Sequence, residues 1–164
     1  AKRNNYDIVV NVDGDGQHRA DEIKKIMEPV LQKKADVVIG SRLLLKNQKY
    51  PILGRRIAQK IISFLILLFS GKRITDSTSG FRCYNKKAID LLSQYYPTDY
   101  PGGEEVVFLI KNGIKIKEVP ISIKMRKKGS SFLNITISIH YMIRVALSIF
   151  INVFRASIIK EDKN

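Results

Sequence analysis

Two short apolar runs with a helical pattern between them constrain this chain more than any other feature. In "YDIVVNVDGD" the run Ile8 to Val12 ends abruptly at polar turn residues, and in "ADVVIGSR" the run Val37 to Gly40 does the same. Runs this short, rich in β-branched side chains and bounded by turn residues, read as buried strands. Between them, "ADEIKKIMEPVLQKKA" carries Ile23, Ile26, Met27, Val30 and Leu31 at helical spacing, with Pro29 arguing against one continuous helix. Strand, helix, strand in that order is the unit of an α/β domain with parallel strands.

The remaining pattern extends that unit. The segment "LLLKNQKYPILG" reads as a loop, and 55–69 as a helix that grows more apolar through "IISFLILLF". A short strand in "SGFRCYN" leads into the helix "KKAIDLLSQ". A further helix in "GGEEVVFLIKNG" is closed by Gly113, and "IKIKEVPISIK" alternates as a strand whose Pro120 marks an edge or a bulge. The run 132–159 differs in kind. On a helix, His140, Arg144, Ser148, Asn152 and Arg155 share about a third of the circumference and apolar residues fill most of the rest. Arg144 interrupts the roughly 20 apolar residues that a spanning helix needs. The run is therefore expected to lie in a membrane interface, or to pack against the rest of a larger protein. The division that follows is a domain over 1–131 and an amphipathic segment over 132–164.

Composition narrows the partners. A 164-residue chain with net charge +14 is long enough for one packed domain and calls for an anionic partner. Its basic residues are dispersed apart from "KMRKK" at 124–128, and zinc-finger spacing, an aromatic RNA-binding motif and a basic region with heptads are all missing, so no nucleic-acid partner is expected. The single cysteine, Cys83, excludes an intramolecular disulfide and a cysteine zinc site, and reads as a small buried apolar residue of a cytosolic protein. The opening "AKRNNYD" carries no apolar signal and stands just before a core strand, so the chain is expected to be a piece of a longer protein.

Asp13 and Asp15 stand one residue apart where the first strand ends. Carboxylates so close repel unless a cation lies between them, and strand ends in open α/β sheets are where ligands bind. Gly14 and Gly16 allow the tight turn that aims both at one point, and Gln17 adds a neutral oxygen. Oxygen donors of this kind suit Mg²⁺ or Mn²⁺ shared with substrate phosphates. A helix–loop–helix calcium site is excluded, because His18 stands where that loop needs Gly and Lys24 where it needs Glu. A plain polar turn, with an aspartate capping a helix at Ala20, remains the alternative. His18 is not expected to bind zinc, since the other histidine, His140, lies in the C-terminal run.

Four segments in order and spacing, "DIVVNVDGDGQH", "ADVVIGSR", "DSTSGFR" and "IKEVPISIKMRKKGSS", resemble bacterial family-2 glycosyltransferases of the GT-A fold, in the branch of dolichyl- and polyprenyl-phosphate sugar transferases. The resemblance covers nearly the whole chain. It implies a mixed sheet with flanking helices and a metal-dependent, inverting transfer of sugar from a nucleotide sugar to a polyprenyl phosphate. It implies that Asp13, Asp15 and Gln17 hold Mg²⁺ or Mn²⁺ on the donor pyrophosphate. Arg42, Arg56 (or Arg55) and Arg126 are its phosphate contacts, and Ser131 completes the Arg-x-x-Gly-x-Ser loop. Asp76, Ser79 and Gly80 match "DSTSGF", with Asp76 ordering a loop or serving the acceptor. Glu104, beside Glu105, stands where many members place a catalytic acid residue. A hydroxyl acceptor needs such a base, whereas a lipid phosphate is already anionic.

Two departures accompany the likeness. Arg19 and Ala20 stand where the family usually has an Asp, so helix capping is expected to differ, and the family's nucleotide-binding strands would precede Ala1, so this piece alone is expected to be inactive. The implied location is the cytoplasmic face of a bacterial membrane, peripheral or interfacial, with an anionic lipid surface as a partner. Two other readings stay open: transfer to a saccharide hydroxyl in cell-surface polysaccharide or glycolipid synthesis, and a non-catalytic basic domain that binds membrane or nucleic acid.

Overall fold

A computed structural model describes residues 1–14, 16–45, 53–95, 102–123 and 147, with the backbone alone described at Lys2, 53–56 and Tyr95. In chain order the elements are β1 (Ile8–Asn11), α1 (Asp21–Leu31), β2 (Val37–Ser41), α2 (Leu53–Ser70), β3 (Arg82–Asn85), α3 (Lys86–Tyr95), α4 (Gly103–Lys111) and β4 (Ile116–Pro120). The described strands form one sheet in the order β1-β3-β2-β4. β3 runs antiparallel to both neighbours, with Val10 opposite Cys83 and Val38 opposite the same Cys83, while β2 and β4 are parallel with Ser41 opposite Pro120. β1, β2 and β4 therefore share one direction, and β3 is inserted against it. This is the mixed α/β sheet expected from the resemblance. Pro120 closes the outer strand β4, as an imino acid without an N–H should.

Alternation along the central strands makes two cores. Val37 and Ile39 of β2 and Tyr84 of β3 pack under Ile62 and Ile66 of α2, Ala88 and Leu92 of α3, and Val107 of α4. Val38, Cys83 and Phe81 face the other way, onto Ile26 and Val30 of α1. A side chain such as Ile26, removed wholly from water, contributes about 1.5–3 kcal/mol. β2 is buried along its whole length, and at Gly40 even a methyl group would lie 2.8 Å from the Phe81 ring. Cys83 is the buried apolar residue expected, and burial pushes its thiol up to about 11.

Two local expectations change. α1 runs through Pro29, which sits in the last turn, where its carbonyl accepts the amides of Lys34 and Ala35 as the chain leaves the helix. No side chain caps α1 at Ala20; instead Asp21 and Glu22 occupy the first turn, where the helix dipole favours carboxylates. The loop around 46–52 and, apart from Leu147, the C-terminal run 132–159 lie outside the described residues.

Candidate functional site

The carboxyl ends of β1, β2 and β4 open at one end of the sheet, and the loop Asp76–Gly80 crosses that end before entering β3. Asp13 lies two residues beyond β1 and meets the end of the loop. A Cβ built on Gly80 would lie 2.4 Å from Asp13 Oδ1 and 2.8 Å from Oδ2, so only glycine permits this approach. The Asn11 side-chain amide donates to the Gly80 carbonyl at 2.9 Å and ties the loop to β1. On the other side, His18 stacks on Phe81 with ring centroids 4.6 Å apart, and its Nε2 lies 3.3 Å from Asp13 Oδ2. The backbone of His18 bridges to Ile123 beyond β4. The His18 side chain is 6% exposed, while that of Asp13 is 49% exposed.

Asp76, at the start of the same loop, has the opposite environment. It is fully buried, and Arg42 forks onto it with Nε 2.8 Å from Oδ2 and Nη2 2.7 Å from Oδ1. The Arg42 amide also donates to Oδ2, and Gln59 donates to Oδ1 at 3.2 Å. Behind it, Glu118 accepts the Thr75 amide, the Thr75 hydroxyl and the Asp76 amide at 2.8–2.9 Å. Bidentate, charge-assisted bonds of this kind fix both partners in orientation as well as position.

Arg82 grips the middle of the loop from within the sheet. Its Nε donates to the Ser79 carbonyl at 2.8 Å, its Nη2 to the Ser77 carbonyl, and its Nη1 pairs with Glu105 of α4 at 3.0 Å. Glu105 also accepts the Tyr84 hydroxyl at 3.0 Å. Burial alone would lower the Arg82 pKa, but Glu105 and Tyr84 together more than offset this and hold it above the usual value. Burial pushes the Tyr84 phenol up, so it stays a donor at neutral pH.

Of the residues singled out from sequence, the fold brings Asp13 against Gly80, and Arg42 against Asp76. Ser79 lies between these contacts, giving its carbonyl to Arg82 and its hydroxyl oxygen to the Phe81 amide. Gln17 is half-buried just before His18, and Glu104 is buried in the first turn of α4 beside Glu105. Asp15, Arg126, Ser131 and the side chains of Arg55 and Arg56 lie outside the described residues. Sequence reasoning missed His18 beside Asp13, and missed Gln59, Arg82 and Glu118 behind the loop. Signals existed for two of these. Gln59 precedes Ile62 and Ile66 at helical spacing on the buried face of α2, and Arg82 shares its strand face with Tyr84.

Carboxylate and amide oxygens of the kind a hard divalent cation takes stand just beyond β1. Among the described residues no group of three or more His, Cys, Asp and Glu converges. Asp13 and Gln17 carry oxygen donors, Asp15 stands between them in the sequence, and the Asp13 side chain keeps half of its surface in solvent.

The model of the family described as "Glycosyl transferase family 2" matches residues 1–92. An uncharacterized protein of Methanocaldococcus jannaschii is 38% identical over 120 residues, covering 70% of this chain and 48% of that protein. A UDP-N-acetylglucosamine–dolichyl-phosphate N-acetylglucosaminyltransferase of Methanococcus voltae is 36% identical over 121 residues, covering 70% and 47%. An undecaprenyl-phosphate mannosyltransferase of Micrococcus luteus is 32% identical over 136 residues, covering 77% and 53%. The chain thus spans about half the length of the curated relatives it matches. Archaeal relatives stand beside bacterial ones, so the bacterial source expected from the motifs does not follow.

Proposed function

This chain belongs to glycosyl transferase family 2, and from that premise we propose that its protein transfers a sugar from a nucleotide sugar to a polyprenyl phosphate, with Mg²⁺ or Mn²⁺ at Asp13. The observation that carries this is the Asp13 carboxylate: it lies two residues beyond β1 at the carboxyl end of the sheet, stands half in solvent, and packs against the bare backbone of Gly80. Archaeal and bacterial relatives alike bear names of lipid-phosphate sugar transferases, which supports the acceptor class.

Asp13, Asp15 and Gln17 would hold the cation. Bound there, it neutralises the negative charge that builds on a departing nucleoside diphosphate. Asp76 orders the loop through Arg42, Gln59 and the backing Glu118, which keeps Gly80 against Asp13. The Arg42 guanidinium, carried at the end of β2, is forked onto Asp76 and so serves the loop first, and Arg56, Arg126 and Ser131 are the proposed contacts to the phosphates. Arg82 holds Ser79 and thereby the approach to Gly80. Glu104 is needed as a base only where the acceptor is a hydroxyl, because a lipid phosphate arrives already ionised.

A lipid acceptor calls for a lipid-facing surface. Ile57, Ile61, Phe64 and Leu68 form an exposed row along α2, on the side away from the buried Ile62 and Ile66. An apolar row on a chain of charge +14 suits adsorption to an anionic bilayer. No helix of the described residues is long and apolar enough to cross a membrane.

The test uses the full-length protein with Mn²⁺, polyprenyl phosphate and a panel of labelled nucleotide sugars. Label should pass into the organic phase, and Asp13→Asn should abolish its transfer. Transfer only to saccharide hydroxyls, dependent on Glu104, would replace the acceptor. Anion binding that ignores both Mn²⁺ and Asp13→Asn, without transfer, would favour a non-catalytic basic domain.

A further inference from the structure

We propose that His18 is a positioning residue that sets the orientation of the Asp13 carboxylate for the cation, an inference that rests on the metal reading above. Three observations point the same way. The imidazole is almost fully buried, stacked on the fully buried Phe81, with its backbone bridged to Ile123, so the ring is fixed by packing and by its own main chain. Its Nε2 lies 3.3 Å from Asp13 Oδ2, a slightly long contact through which the Nε2–H tautomer can steer the carboxylate. Its other nitrogen, Nδ1, is buried with no hydrogen-bond partner among the described residues.

The third observation separates this role from plain packing. A phenyl or leucine side chain would fill the place on Phe81 without burying an unsatisfied nitrogen, and buried polar atoms without partners are costly. The ring nitrogen that does have a neighbour is the one turned to Asp13. With Nε2–H as donor, Nδ1 becomes the lone-pair nitrogen and faces only its buried surroundings. Asp13 is then held on one oxygen by an N–H and bounded by the Gly80 backbone, while its exposed remainder stays available to a ligand. Hydrogen bonds to liganding carboxylates serve the same end in metal sites generally, since they fix the ligand before the ion arrives.

Substitution can separate the ring from its N–H. His18→Phe keeps a ring on Phe81 and removes the donor; His18→Gln removes the ring and keeps a side-chain N–H at similar reach. Mn²⁺ binding to the full-length protein would be followed by loss of the free-ion paramagnetic resonance signal, without nucleotide and with UDP or GDP. His18→Phe should weaken Mn²⁺ binding by about 10- to 100-fold, the usual effect of removing a partner of a metal ligand, and His18→Gln should recover most of it. Affinity unchanged in His18→Phe, or equally weak in both variants, overturns the proposal. If the unaltered protein binds no Mn²⁺, the metal reading fails and this inference with it. Should His18→Phe not fold, protein carrying ¹⁵N-histidine gives a second reading. The ring resonance missing from His18→Gln belongs to His18; Mg²⁺ should shift it, and a resonance unmoved at saturating Mg²⁺ overturns the proposal.

Discussion

The loop Asp76–Gly80 begins and ends against a carboxylate, and the two carboxylates are treated in opposite ways. Asp76 is buried and receives the Arg42 fork, the Arg42 amide and Gln59, with Glu118 fixing the backbone behind it. Asp13 is half exposed, with His18 at 3.3 Å and the bare backbone of Gly80 alongside. A buried charge must be matched inside the protein, because no water remains to solvate it. One that keeps access to solvent can be left partly unmatched, and a cation can complete it. The difference teaches which carboxylate builds the loop and which is offered by it.

The largest effect should come from breaking the matched side. Arg82→Met removes the cation from a wholly buried pair and leaves the Glu105 carboxyl with the Tyr84 hydroxyl as its hydrogen-bond partner among the described residues. The expected loss is about 3–5 kcal/mol of stability, as for other broken buried pairs. Thermal unfolding would measure it. The double variant Arg82→Met with Glu105→Leu should recover a good part of the loss, because it removes the stranded charge. A single variant as stable as the parent would show that the pair does not hold the loop.

On the open side, substitution should injure function more than fold. Gly80→Ala places a methyl group 2.4 Å from the present position of Asp13 Oδ1, and the half-exposed carboxylate can only swing toward solvent. A displacement of about 1 Å at a reacting centre can cost on the order of a hundredfold in rate. We expect a loss of that order in sugar transfer, with a much smaller fall in melting temperature than for Arg82→Met. Wild-type turnover in Gly80→Ala would remove Asp13 from the site; a melting temperature as low as that of Arg82→Met would place Gly80 with the scaffold.

The same contrast marks what the sequence could disclose. Local signals carried the strands, the helices and the end of α4, whose Gly113 has φ +73. The order β1-β3-β2-β4 was not legible, because inserting β3 antiparallel between β1 and β2 joins segments far apart in the chain. Asp13 was legible because its chemistry is concentrated in "DGDGQ". Its neighbours were not. Gly80 and His18 reach it across a strand pairing and an aromatic stack that no local spacing encodes. Arg42 and Asp76, singled out separately as a phosphate contact and an acceptor or loop residue, turn out to face each other. Only the fold could disclose that pairing.

The smallest effect lies behind the open side, at Glu22 in the first turn of α1. Ser122 Oγ donates to Glu22 Oε1 at 2.6 Å, and Lys25 lies 2.9 Å from Oε2. Ser122 directly precedes Ile123, the bridge partner of His18, so Glu22 is a matched carboxylate that supports the unmatched one. Burial would push its pKa up, but the bonds from Ser122 and Lys25 outweigh it and hold it below the ordinary 4.5. A carboxylate whose pKa falls on folding adds stability above its unfolded value, and that stability is lost as pH drops through the folded value. Glu22→Gln should therefore cost about 1.5 kcal/mol near neutral pH, the lower end of the worth of a charged hydrogen bond. The gap between the two proteins should close as pH falls through and below the ordinary carboxylate range. Urea unfolding at pH 7 and in acid would follow it. A gap that stays constant would mean that Glu22 acts through its shape rather than its charge, and the support it lends to the His18 strand would then be packing alone.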